Sequence, residues 1–145
     1  MFFSSGFAYA VWGVGLPNIE QKFALGNTRL GFVLFILAVG SILMMLPAAK
    51  LITKIGSRSV CVLGAFLHAL TIVGIPQCQN YIVLLIAVWL YGTATACFDT
   101  GMNAYALEYE QSLNKSFLSS MHGMFSFGGM CGALLGSSFI TNING

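Results

Sequence analysis

The segment that decides the fold is Leu30–Ala49, LGFVLFILAVGSILMMLPAA, which contains no charged residue. A helix needs about 20 mostly apolar residues to cross the hydrocarbon core of a bilayer, and this segment has that length. Pro47, near its end, is the residue that most strongly disfavours a helix interior. The segment therefore predicts a membrane-spanning helix.

The composition of the whole chain agrees with this prediction. Of its 145 residues, 57% are hydrophobic and only 7% are charged. A soluble domain carries about 25% charged residues, because it needs a polar surface. This composition argues against a soluble enzyme, a nucleic-acid-binding protein and a disordered chain, and it makes the lipid bilayer the first expected partner.

Four other segments are similarly apolar. Together with Leu30–Ala49 they give five candidate spans: Phe2–Leu16, Leu30–Ala49, Val60–Ile75, Tyr81–Ala106 and Phe117–Ile140. Pro17 is expected to end the first helix. Because backbone polar groups in lipid must bond within each helix, we predict an all-α, polytopic transmembrane helix bundle, forming a single domain over residues 1–145.

Basic residues between the spans predict the orientation. Four fall on one side of the membrane and two on the other: Lys50, Lys54, Arg58 and Lys115 against Lys22 and Arg29. The positive-inside rule then places the loops at 50–58 and 107–116 in the cytoplasm. The N-terminus is expected inside and the C-terminus outside.

Enzyme chemistry has little support in this sequence. No span contains paired acids, a histidine-rich metal set or a nucleophile with a base at helical spacing. None of the four cysteines forms a C-x-x-C pair. We expect no catalytic residue, no metal and no cofactor.

The segment between the second and third spans, Ala49–Ser59, reads AKLITKIGSRS. It resembles the cytoplasmic loop signature of the major facilitator superfamily, G-x-x-x-D-[RK]-x-G-x-[RK]-[RK], with matches at Lys54, Gly56 and Arg58. Gly56 would permit a tight turn, and the basic residues would hold the loop inside. Thr53 replaces the aspartate of the signature, and Ala49 and Ser59 also depart from it.

Further stretches are similar to one branch of that superfamily, poorly characterised bacterial permeases. They include Gly101–Ala104, followed by Glu108 and Glu110, and Met121–Gly129. The resemblance implies a plasma-membrane transporter of two six-span halves, moving a small solute by alternating access. It also implies that this chain is an incomplete N-terminal half lacking its sixth helix. A non-transporting scaffold and a decayed, truncated transporter are the alternatives. The solute and its coupling to protons are open.

Ionisable groups inside a membrane are functional candidates, because placing them there is costly. Asp99 and Asn103 lie one turn apart on the fourth span, and His122 is predicted at similar depth on the fifth. This cluster could exchange a proton, or it could be a hydrogen-bonded clamp between helices. We favour the clamp, because these residues lie nearer the cytoplasmic face than the midplane.

Small residues and two further side chains complete the candidates. Gly128, Gly132 and Gly136 form a small-xxx-small stripe on which another helix could pack closely. In the family the first helix lines the substrate cavity, so the resemblance implies Trp12 as a candidate cavity wall. His68, on the third span, is expected to stand alone with a structural role.

Overall fold

In a computed structural model, residues 1–144 are described, with side chains through residue 138. This part of the chain consists of five α-helices: α1 (Phe2–Phe23), α2 (Gly26–Ile55), α3 (Ser57–Gly74), α4 (Tyr81–Leu113) and α5 (Leu118–Asn144). A short 3-10 turn, Ile75–Gln77, follows α3. The predicted all-α fold is confirmed.

The helices extend beyond the apolar segments from which they were predicted. The prediction that Pro17 ends the first helix is wrong, since α1 continues to Phe23. Proline removes only one backbone hydrogen bond, and membrane helices tolerate this because neighbouring groups and local adjustments satisfy the freed carbonyl. Pro47 likewise lies inside α2.

Three of the helical segments are long and apolar enough to cross a membrane, judged over the described residues. They are Gly26–Ile55, Ser57–Gln77 and Tyr81–Leu113. The observed helices match the predicted segments in number and order, whereas five membrane crossings stay a prediction.

Side chains define the starts of the last two long helices. The carbonyl oxygen of the Asn80 side chain accepts the backbone N–H of Val83 at 2.9 Å, which satisfies one of the exposed donors at the start of α4. The Glu110 carboxylate accepts the backbone N–H groups of Phe117 and Leu118, where α5 begins. Both contacts satisfy donors that a helix cannot pair internally.

The chain groups into two compact units. The α1/α5 unit comprises Met1–Lys22 and the chain from Tyr109 onward, and the α2–α4 unit comprises Phe23–Glu108. The prediction of a single domain is not decided by this grouping and stays a prediction.

Within the α2–α4 unit, α2 and α4 approach closely through a glycine from each helix. A Cβ atom at Gly40 would lie 2.5 Å from the carbonyl oxygen of Trp89, and one at Gly92 would meet the carbonyl of Leu37. Ser41 donates its hydroxyl to the Gly92 carbonyl at 3.0 Å. Small residues let membrane helices pack backbone to backbone, and a hydroxyl adds a hydrogen bond between them.

The contact between α3 and α4 follows the same rule. A Cβ at Gly64 would lie 2.5 Å from backbone atoms of Phe98, and one at Gly101 would lie 2.5 Å from the backbone nitrogen of Cys61. Real Cβ atoms essentially never come within 3.0 Å of another heavy atom. These two glycines therefore fix the register of α3 on α4.

Candidate functional site

Gly56 forms the turn of the loop motif. It is the single residue between α2 and α3, and its φ is 84° and its ψ is 154°. A residue with a side chain would be strained in this backbone conformation. Its N–H donates to the Ile52 carbonyl at 2.9 Å, which closes α2. The other two residues of the motif, Lys54 and Arg58, are exposed on either side of the turn.

A hydrogen bond that the sequence did not reveal ties this turn to α4. Ser57 is buried at the start of α3, and its hydroxyl donates to Oε2 of Glu108 at 2.5 Å. Thr53 stands where the signature has an aspartate, and its hydroxyl donates to the Lys50 carbonyl. The acidic group beside this turn therefore comes from α4 rather than from the loop.

The predicted polar cluster contains residues of both units. Asp99 is half-buried, and the side-chain amide of Asn103 donates to the backbone carbonyl of Asp99 at 2.9 Å rather than to its carboxylate. In the α1/α5 unit, His122 is exposed and its ring packs edge-on against Phe2, with centroids 5.4 Å apart. A single cluster of all three residues stays a prediction.

His68 does not stand alone, so that part of the expectation was wrong, whereas its structural role stays a prediction. Its side chain is only 4% exposed, and Nδ1 lies 3.0 Å from the hydroxyl oxygen of the buried Thr95. The Tyr91 ring packs against the imidazole with centroids 4.9 Å apart. The α3 sequence by itself could not show this, because the partners lie on α4 and depend on the register that Gly64 and Gly101 impose.

These partners belong to a polar line on α4. Tyr91, Thr95 and Asp99 recur every four residues, a spacing that places them on one helix face. His68 joins this line from α3 at Thr95. The spacing of four was the signal in the sequence that could have identified the line.

The glycine stripe of α5 packs against α1. A Cβ at Gly128 would meet the Phe3 carbonyl, one at Gly132 would lie 3.0 Å from the carbonyl carbon of Phe7, and one at Gly136 would lie 2.6 Å from a methyl group of Val14. Gly6 of α1 reciprocates, because a Cβ there would meet the Phe125 carbonyl. The two backbones are therefore in direct contact over several turns.

Trp12, on α1, is 8% exposed. Its indole is therefore covered by protein in this chain, and its role as a cavity wall stays a prediction. Among the residues whose placement is described, no group of three or more His, Cys, Asp or Glu side chains could hold a metal ion.

Three features are typical of a membrane protein with tightly packed helices. They are close helix contacts through paired glycines, a one-residue turn flanked by basic residues, and a line of polar side chains on a mostly apolar helix. The family model described as Major Facilitator Superfamily matches residues 1–144. The chain belongs to the major facilitator superfamily. It is therefore a membrane protein of a transporter family, as the loop motif predicted.

Several curated proteins are similar to it. An uncharacterized MFS-type transporter of Yersinia pestis is 30% identical over 132 residues, which cover 91% of this chain and 34% of the relative. The membrane protein MosC of Rhizobium meliloti is 28% identical, with coverage of 92% and 33%. The L-fucose-proton symporter of Escherichia coli strain K12 is 24% identical, with coverage of 97% and 33%.

The chain thus spans about a third of the length of the curated relatives it matches. No solved structure matches it significantly.

Proposed function

We propose that the chain is the N-terminal part of a secondary transporter that moves a small solute across the plasma membrane by alternating access. The family match over residues 1–144 carries this proposal. Transporters of this kind bind solute between two halves that rock around a central site. The chain would supply one wall of that site, crossing the membrane several times. We expect no enzymatic activity.

Proton coupling is the energy source that we propose for the whole transporter, and a part of Asp99 in that coupling is the first of two roles to test. The relative in Escherichia coli is named an L-fucose-proton symporter, which supports coupling to protons. Asp99 is the acid within a part of α4 that is otherwise uncharged, and such groups mark proton pathways in transporters.

A hydrogen-bonded clamp is the second role, and we favour it for Asp99, Asn103 and His122. The predicted span Tyr81–Ala106 has its midpoint near residue 94, so Asp99 lies about 8 Å from that midpoint along the helix axis. Transporter sites lie near the midplane, whereas a clamp can lie at any depth. The bond from Asn103 to the Asp99 carbonyl lies within α4, so it supports a structural role for Asn103 on its own helix, and the contact with His122 is what the clamp adds.

The first experiment is to read the gene beyond residue 145. A continuing or adjacent reading frame that encodes a sixth span and a second six-span half supports the transporter. Absence of both would favour a scaffold and contradict the proposal.

The longer protein is then reconstituted in lightly buffered proteoliposomes. A panel of monosaccharides, beginning with L-fucose, is added while the external pH is recorded, and radiolabelled uptake is measured with and without an imposed pH gradient. Solute-dependent alkalinisation of the medium is the expected sign of proton symport.

Asp99→Asn and Asp99→Leu separate the two roles. The clamp predicts that Asp99→Asn is mild, because the amide keeps its shape and hydrogen bonding, and that Asp99→Leu lowers the folded yield. Coupling predicts that Asp99→Asn abolishes accumulation driven by pH while solute exchange and folded yield stay normal. That second result would contradict the clamp.

A further inference from the structure

An exposed face of α3 carries a shallow, open groove of about 650 Å³ that the transport proposal does not use. It is lined by Arg58, Ser59, Val62, Leu63 and Phe66. All five residues are exposed, with Val62 at 63% and Phe66 at 66%. Its chemistry changes along the helix, because the basic and hydroxyl side chains lie at the start of α3 and the apolar ones occupy the next two turns.

The length of this groove is close to the hydrocarbon thickness of one leaflet of a bilayer. The distance along α3 from Arg58 to Phe66 is about 12 Å, at 1.5 Å per residue, and a leaflet contributes about 15 Å of hydrocarbon. Leu70 and Val73 continue the same exposed apolar face beyond Phe66. Because α3 is long and apolar enough to span a membrane and starts at the polar turn of Gly56, Arg58 is expected at headgroup depth when α3 crosses the bilayer.

The charge of the site has one sign. The lining described for the groove contains Arg58 and no acidic residue, and exposed Lys54 precedes it on the other side of the turn. A guanidinium presents a planar fork of N–H donors that binds a phosphate through two parallel hydrogen bonds. The Ser59 hydroxyl is one residue away and can donate a third.

We propose that this groove is a binding site for an anionic phospholipid. The Arg58 guanidinium and the Ser59 hydroxyl bind the phosphate, and an acyl chain lies along Val62, Leu63 and Phe66. Anionic lipid is favoured over zwitterionic lipid because the latter brings its own cation into a site that already carries positive charge. The proposal concerns α3 alone and does not depend on solute transport.

The test uses the purified 145-residue chain in mild detergent with an equimolar mixture of phosphatidylglycerol and phosphatidylcholine of matched acyl chains. Native mass spectrometry counts the bound lipids of each class. The wild-type chain is expected to prefer phosphatidylglycerol. Arg58→Gln is expected to weaken that preference about fivefold, the equivalent of about 1 kcal/mol for one basic residue near a lipid headgroup.

Arg29→Gln is the matched control. Arg29 is also exposed, but it lies at the start of α2, where its guanidinium sits 5.7 Å from the Tyr81 ring centroid. It should leave the lipid preference unchanged. Phe66→Ala should reduce binding of both lipids, whereas Phe35→Ala, at a similarly exposed position of α2, should not.

Salt gives a readout that needs no variant. Raising the ionic strength from about 0.1 M to about 1 M shortens the screening length from about 10 Å to about 3 Å, so the preference for phosphatidylglycerol should fall while phosphatidylcholine binding stays constant. The proposal is overturned if Arg58→Gln keeps the wild-type preference, or if Arg29→Gln loses it equally. It is also overturned if millimolar inorganic phosphate displaces the lipid, since that would identify a simple anion site.

Discussion

The contact between α1 and α5 can be tested by adding one methyl group. A Cβ at Gly132 would lie 3.0 Å from both the carbonyl carbon and the Cα of Phe7, and still closer to its carbonyl oxygen. Ordinary contact begins at 3.4 Å, so α1 must retreat by at least 0.4 Å, and by more at the oxygen. These are backbone atoms, which cannot move aside as a flexible side chain does. Gly132→Ala should therefore separate the two helices.

Gly123→Ala is the matched control, because it lies on the same helix and a Cβ there meets no described atom within 4 Å. Both changes replace glycine by alanine in a helix and gain about 1 kcal/mol from helix propensity. That gain cancels in the comparison. The difference between the variants is then the overpacking cost at Gly132, about 1–3 kcal/mol in the free energy of unfolding.

The measurement is the melting temperature of the purified chain in detergent, followed by size-exclusion chromatography, with folded yield as a second readout. Gly132→Ala should melt lower than Gly123→Ala, by roughly 2–4 °C per kcal/mol. Gly132→Leu should be worse than Leu135→Gly, because Leu135 is 53% exposed. If Gly132→Ala melts as high as Gly123→Ala, α1 does not pack on this glycine and the reasoning fails.

Two further predictions concern the α2–α4 unit. Single cysteines are placed at the exposed positions Ser59 and Gln79 in a chain whose native cysteines are replaced. They should react with an impermeant thiol reagent from opposite sides of the membrane, the cysteine at position 59 from the cytoplasm. Labelling of that cysteine from outside in intact cells would contradict the predicted orientation. A double-mutant cycle of His68→Leu and Thr95→Val, measured by unfolding in a detergent titration, should give a coupling energy of about 0.6 kcal/mol and at most about 1.7 kcal/mol. Strictly additive effects would mean that the 3.0 Å contact contributes nothing to stability.

The apolar segments predicted which parts of the chain are helical, but the ends of those segments did not predict where each helix ends. Pro17 illustrates the difference, since a local rule placed a helix end there and the helix continues to Phe23. The end of α4 illustrates it again. The predicted loop at 107–116 contains Glu108 and Glu110, yet both residues lie within α4, and their carboxylates accept hydrogen bonds from Ser57 and from the start of α5. A carboxylate's partner cannot be read from its own helix.

The sequence by itself determined that this is an all-α membrane protein with helices in a definite order, because hydrocarbon solvates only apolar side chains and forces each backbone to pair within its own helix. It also identified the basic turn at Gly56. Tertiary structure alone decided which glycines face which backbone, and hence that His68 meets Thr95 and that Gly132 faces Phe7. The physical reason is that lipid and protein interiors are equally apolar, so hydrophobicity does not tell one helix face from another, and close packing chooses the partner.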